Sequence, residues 1–315
     1  MKLKALNMDI LNDIAEKRKN LRFLLENKDN RTVLHDWLKT ELAYTSNAIE
    51  GNTLTREETT LVIEEGVTSG SKPLKHYQEA RNHALAYEYV LDAAQNNTPV
   101  TENTILALHK IILSGIDDMN AGFYRSVKVR ISGSATVLPN PLKVPDLMAA
   151  FGSWLKTDEM SEPQKAFEAH YRLVSIHPFT DGNGRTARLI MNLMLLENGF
   201  APVIIRPRDR KRYLSVLEIY QTTQNGDSYR KFMLDALSRS LTAAINLLDV
   251  EKEDVSGEKL MKIGAFSKLC GVPSSSIRYW IKKGKLVPAM RTDADYALFS
   301  DKQINDVKSL IRKKK

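Results

Sequence analysis

The sequence predicts a mainly α-helical fold that carries one short β-hairpin and ends in a small, strongly basic module. Three observations predict it. Apolar residues recur at helical spacing through most of the chain, between recognisable helix starts and stops. One run, Val127-Lys128-Val129-Arg130-Ile131, alternates apolar and charged residues as a strand does. Charge is unevenly placed: Glu258 to Lys315 holds 14 Lys+Arg against 5 Asp+Glu, whereas the rest holds 32 against 33. The net charge of +8 therefore belongs to the tail and describes the tail's partner.

With 315 residues, 43% hydrophobic and 27% charged, the chain can fill a large core and a second, smaller one. No window near eighteen residues is uninterruptedly apolar, so no membrane span is expected. Met1-Lys2-Leu3-Lys4 lacks an apolar signal region, and the single cysteine, Cys270, allows no internal disulfide. Both point to the cytoplasm. The sequence holds no Cys/His cluster with metal-ligand spacing.

Residues 1 to about 40 read as helical on the spacing of Ile10, Ile14, Leu21, Leu24 and Leu25. In Tyr44 to Asn52, a helix would place Ser46 and Glu50 on one face, with Gly51 ending the turn. Thr55 caps the next helix, with Glu58 as its capping-box partner. A loop from Gly66 to Pro73 leads to a helix from about Lys75 to Ala94, carrying Glu79, Arg81, Asn82 and His83. Thr101 with Glu102 opens a helix through Leu113. His76, His83 and His109 do not cluster and read as structural or surface groups. The strand Val127–Ile131 turns at Ser132-Gly133-Ser134, returns over Ala135 to Leu138, and is stopped by Pro139 and Pro141. A lone hairpin is marginally stable and needs packing support. Helices follow at about Pro163 to Ile176 and Arg185 to Asn198. After a loop bracketed by Pro202 and Pro207 come two more, at about Tyr213 to Gln224 and Asp227 to Leu248.

The stretch His177-Pro178-Phe179-Thr180-Asp181-Gly182-Asn183-Gly184-Arg185-Thr186-Ala187-Arg188 carries the chemistry. Pro178 ends the helix before it. The helix after it begins with free amides and a positive dipole end, an anion site before any side chain is counted. Arg185 and Arg188, three apart, add guanidinium forks suited to phosphate. His177 is placed to serve as a base near neutral pH. Asp181 can hold a divalent metal that bridges phosphate oxygens. Together these parts suit transfer of a phosphoryl or nucleotidyl group.

The stretch resembles the Fic motif, His-Pro-Phe-x-Asp/Glu-Gly-Asn-Gly-Arg-x-x-Arg, at every fixed position. The resemblance implies a Fic-type helical bundle with a small β-hairpin flap, and transfer of AMP from Mg2+-ATP to a hydroxyl of a protein, itself included. It implies that His177 is the base, that Phe179 anchors the loop in the core and that Asp181 holds Mg2+. It also implies that Gly182, Asn183 and Gly184 cradle the α- and β-phosphates while Arg185 and Arg188 grip the β- and γ-phosphates. A kinase-like branch carries Lys where Gly184 stands, so AMP transfer is favoured. Ser46 to Gly51 resembles the family's inhibitory motif, in which Glu50 would pair with Arg188. Residues 124–140 resemble the flap that clamps a target by strand addition. Tyr213 and Gln221 fall where relatives line the adenine and ribose site. Related proteins often self-associate, so the resemblance allows a homodimer, although the sequence itself does not give the oligomeric state.

The implied organisation is a helical region over 1–100 with the inhibitory motif at 46–51, a catalytic core over 101–248, a linker over 249–258, and a tail over 259–315. In the tail, a helix and turn over Ile263 to Pro273 precede a serine-capped helix from Ser274 to Ile281. Gly284 to Val287 and Tyr296 to Phe299 form the arms of a wing. This is similar to the winged helix-turn-helix of the MerR family, through the Ile277-Arg278-Tyr279-Trp280 run. Asp295 and Ala297 stand where that family commonly has Gly and Arg. Residues 259–315 are either a DNA contact, with Arg278 and the following lysines on phosphates, or a basic module that docks a protein. A second function class follows: a DNA-binding regulator whose Fic-like body binds nucleotide without catalysis.

Overall fold

The computed structural model describes residues 2–68, 70–131, 133–134, 136–157, 160–248, 260–291 and 297–312. The chain forms two compact units, 1–244 and 245–315. The expected linker over 249–258, Asp295, and residues 132 and 135 of the hairpin turn lie outside the described residues.

The first unit is helical throughout: α1 Lys2–Leu24, α2 Lys28–Ile49, α3 Arg56–Glu65, α4 Leu74–Gln95, α5 Glu102–Leu113, α6 Val144–Leu155, α7 Gln164–Ile176, α8 Asn183–Glu197, α9 Arg210–Thr223 and α10 Asp227–Leu248. The helical N-terminal region is divided into two helices, because Asn27 accepts the Asp29 amide and caps a new start. The capping boxes of Thr55 with Glu58 and of Thr101 with Thr104 open α3 and α5. Helix α6 went unread in the sequence, although Val144, Met148, Phe151 and Leu155 fall at helical spacing and form its buried side.

Helix α8 is the centre. It packs on α7, α4, α5 and α2, and every residue from Arg185 to Leu195 is buried. A helix buried all round belongs in the middle of a core. Leu189, Ile190, Leu193 and Leu195 are at most 1% exposed, and each contributes about 1.5–3 kcal/mol of apolar burial. This packing fixes the position of the amides at the start of α8.

Residues 124–140 form no strand among those described. A hydrogen bond from the Ser134 amide to the Ile131 carbonyl closes a turn there. The physical reason is that the Arg125 guanidinium takes carbonyls from both arms, Val127 O at 3.1 Å and Pro139 O at 2.7 Å. The tip is held by Ser134 Oγ on Glu218 and Thr136 Oγ1 on Gln221.

The second unit contains β1 Leu260–Lys262, α11 Ile263–Cys270, α12 Ser274–Lys282, β2 Met290–Arg291, β3 Ala297–Ser300 and α13 Ile304–Arg312. The strands form an antiparallel sheet in the order β1-β3-β2, pairing Met261 with Phe299 and Met290 with Leu298. Its core is Phe266, Cys270, Ile277, Trp280, Leu286, Phe299 and Val307. The Phe266 and Phe299 rings stack at 4.4 Å. Two details differ from the sequence reading. Pro273, not a serine, stands at the cap of α12. The first wing arm is at 290–291 and not 284–287, because Leu286 is drawn into the core.

Candidate active site

The loop between α7 and α8 is shaped by its own side chains. His177 ends α7 in the left-handed conformation, with φ 51° and ψ 59°. That costs a non-glycine residue on the order of 1–2 kcal/mol. The surroundings hold it: Arg125 Nε donates to the His177 carbonyl at 2.8 Å, and the Arg125 amide donates to Pro178 O. His177 Nδ1 lies 3.3 Å from the Val174 carbonyl. A carbonyl only accepts, so Nδ1 carries the proton and Nε2 keeps the lone pair. Burial pushes the His177 pKa below its usual value, which leaves the ring neutral at pH 7 and able to take a proton.

Phe179 is fully buried and stacks on His109 with ring centroids 3.6 Å apart. The Asn183 side chain spans the turn, accepting the Phe179 amide and donating to the Phe179 carbonyl, each at 2.9 Å. Its amide group is therefore committed to loop shape. His109 Nδ1 accepts the Gly122 amide at 2.9 Å, so Nε2 is the protonated nitrogen that donates to Asp181 O at 3.0 Å. Burial pushes the His109 pKa down to about 4. Gly182 has φ 74°, and a Cβ there would stand 3.2 Å from the His109 ring, so glycine is required twice over.

Two charge networks meet at the start of α8. Asp181 Oδ1 accepts the Gly182 amide at 2.6 Å and Arg185 Nη2 at 3.1 Å. Arg185 Nη1 pairs with Glu79 at 3.2 Å, and Lys75 lies 3.7 Å from Asp181 Oδ2 and 3.8 Å from Glu79. Burial would raise the Asp181 carboxyl, but Arg185, the Gly182 amide and Lys75 together hold it below the usual range. The second network surrounds Arg188, whose Nε donates to Ser46 Oγ at 2.9 Å and whose Nη2 donates to Ser46 O and to Glu50 Oε1 at 3.0 and 2.8 Å. Burial disfavours the Arg188 charge, yet Glu50 and Tyr213 more than offset it. A Cβ on Gly184 would collide with Glu50 Oε1. The carboxylate thus lies against the opening turn of α8, where an anion would bind.

The expected site residues His177, Asp181, Gly182, Asn183, Gly184, Arg185, Arg188, Ser46 and Glu50 converge here. Arg185 and Arg188 do not share partners: the first faces Glu79 and Asp181, the second Ser46 and Glu50. Tyr213 is 1% exposed and does not line an open cleft. Its hydroxyl bonds Arg188 and, at 2.8 Å, His170 Nε2; His170 Nδ1 in turn meets Tyr229, which donates to Phe167 O. Tyr213 orients Arg188 from behind. Gln221 links flap residue Thr136 to Ser175 beside the loop. Sequence reasoning missed Glu79, Lys75, Arg125 and the roles of His109 and His170. The i, i+4 spacing of Lys75 and Glu79 was the only visible signal.

A divalent metal fits one edge of this site. Asp181 is half exposed; its Oδ1 is fixed by Arg185 and Gly182, while its Oδ2 lies 3.7 Å from the half-exposed Lys75 ammonium, which a bound cation would displace. One carboxylate is enough for Mg2+ when phosphates and water supply the remaining ligands.

Residues 99–195 match the Fic/DOC family, and residues 262–299 match the MerR family of regulatory proteins. The chain is 37% identical over 222 residues to a protein adenylyltransferase Fic of Nematostella vectensis, covering 69% of this chain and 51% of that one. It is 32% identical over 246 residues to the namesake of Drosophila willistoni, covering 74% and 48%. The chain spans about half the length of these curated relatives. The crystal structure of a Fic-domain signalling protein from Bacteroides thetaiotaomicron superposes with a TM-score of 0.69 at 30% identity, covering 76% of this chain and 99% of that one.

Proposed function

Because this chain belongs to the Fic family, we propose that it transfers AMP from ATP to a hydroxyl of a protein and that Glu50 restrains the reaction. The observation that carries the reading is the Glu50 carboxylate held on Arg188 and pressed against Gly184. A site that attracts a carboxylate to a helix start beside a buried arginine is built for an anion.

In this reading His177 Nε2 takes the proton of the acceptor hydroxyl. The oxygen forms a bond to the α-phosphorus, the bond to the bridging oxygen of the β-phosphate breaks, and pyrophosphate leaves. The amides opening α8 oppose the charge that develops on the phosphate oxygens. Asp181 would hold Mg2+, which supplies charge neutralisation to the phosphates when bound. Arg188 grips the terminal phosphate only after Glu50 has left it; Tyr213 and His170 keep its aim meanwhile. The chain is incubated with ATP labelled at the α or the γ position. Protein-bound label from α alone is expected, and label from γ alone would establish a kinase instead.

A second reading concerns residues 259–315, supported by the MerR match and by the local charge excess. The tail binds duplex DNA through phosphates, placing the enzyme beside its target or acting as a regulator with a nucleotide-binding body. Its expected mark is a salt-dependent mobility shift lost on removal of 258–315; equal binding by the shortened chain would dismiss it. Among the described residues no helix is long and apolar enough to cross a membrane, which is compatible with the cytoplasmic location proposed from the lone cysteine.

A further inference from the structure

We propose that Arg125 is a positioning residue that joins the flap and the backbone of His177 into one unit, so that a hydroxyl held by the flap is held relative to the base. This rests on the transfer reading above and says how that site is aligned.

Arg125 is 3% exposed. A buried guanidinium usually has a carboxylate partner. Among the described residues Arg125 has no ion pair, and its three nitrogens are spent on main-chain carbonyls. Nη1 donates to Val127 O at 3.1 Å, on the outgoing arm. Nη2 donates to Pro139 O at 2.7 Å, on the returning arm. Nε donates to the carbonyl of His177 at 2.8 Å. The residue's own amide adds a bond to Pro178 O at 2.9 Å. A guanidinium is planar and rigid, so the three carbonyls are set at fixed separations. A lysine would reach the same place as a point charge with no plane.

The tie holds the unusual backbone of His177 as well as the flap. The His177 carbonyl follows a left-handed residue, and Arg125 Nε is its partner. His109 makes a parallel tie one step earlier, from the Gly122 amide to the Asp181 carbonyl. The root of the flap is thus fastened to the loop at two points, and both run through buried side chains. Among the described residues, the tip is held by the half-exposed hydroxyls of Ser134 and Thr136 on Glu218 and Gln221. In this reading the root sets where a bound strand lies relative to the base. A displacement of about 1 Å between acceptor and base is enough to cost on the order of 100-fold in rate.

The test uses the full chain carrying Glu50→Gly, with Arg125→Ala or Arg125→Lys added. Trypsin cleavage after Lys128 and Arg130 under native conditions, followed by mass, reports the flap root without any need for activity. Cleavage is expected to rise about tenfold in Arg125→Ala and to be only partly restored in Arg125→Lys. For transfer to protein, kcat is expected to fall about 100-fold in Arg125→Ala while KM for ATP stays within about twofold. Unchanged trypsin protection in both variants overturns the proposal. So does a rise in ATP KM at unchanged kcat, which would make Arg125 a nucleotide-site residue. Loss of the cooperative thermal transition in both variants also overturns it, because Arg125 would then serve the fold. If the parent transfers no AMP, the transfer reading falls, and the trypsin result alone decides the tie.

Discussion

The loop from His177 to Arg188 and the flap from 124 to 140 meet at one guanidinium, yet they are held in opposite ways. The loop closes on itself. Asn183 brackets Phe179, Asp181 caps Gly182, and His109 seals the turn. The flap makes no strand ladder of its own among the described residues and takes its shape from Arg125, Glu218 and Gln221. The first region is preorganised for a small anion. In the proposed function the second is the part that meets an incoming strand.

The sharpest way to break this contrast is at the base. His177→Ala is expected to lower AMP transfer about 1,000- to 10,000-fold while ATP binding, measured by calorimetry, persists. Transfer at the parent rate would move the base to another residue. Stability gives the next contrast. Phe179→Ala, fully buried in the loop, should cost about 3–5 kcal/mol in denaturant unfolding. Val137→Ala, 92% exposed on the flap, should stay within about 0.5 kcal/mol. Equal costs would mean that the flap is part of the core.

Acid sharpens the same difference more gently. His109 is buried among Asp181, Arg185 and Asp117, and its pKa falls to about 4 in the folded chain. The unfolded chain takes up that proton near pH 6.5. Between those values the unfolded state binds more protons, so stability is lost as pH falls from about 6.5 to 4. The expected loss from His109 is on the order of 1–3 kcal/mol. His83 and His170, each lowered to about 3 by burial and the nearby arginines, act in the same direction. A His109→Asn variant should therefore keep a shallower acid slope in thermal melts, and an unchanged slope would remove His109 from the loop's acid sensitivity.

Much of this was legible in the residues. The twelve-residue loop and its two flanking helices were expected because glycine, proline and cap residues act locally, whereas the pairing of Glu50 with Arg188, 138 residues apart, was expected only through the resemblance to the Fic inhibitory motif. The flap strands were not formed as read. Alternation in Val127 to Ile131 reports which side is apolar, but a ladder also needs free carbonyls, and Arg125 takes one from each arm. Tyr213 was expected beside the base of the nucleotide and is instead sealed behind Arg188, since a tyrosine's burial depends on elements far away in sequence. Helix α6 was not expected although its spacing is plain, because no side-chain cap marks its start and Pro145 stands in its first turn. Arg185 was read with Arg188 as one clamp, but Glu79, more than 100 residues earlier, claims it.

The central claim is that a carboxylate from α2 occupies the anion site and withholds Arg188. It is tested most directly by the rate of AMP transfer from α-labelled ATP in the unmodified chain and in Glu50→Gly, side by side. Glu50→Gly is expected to be faster by about 10- to 100-fold, the size of a coupling of roughly 1–3 kcal/mol. An equal or slower rate, with ATP bound equally well, would contradict it.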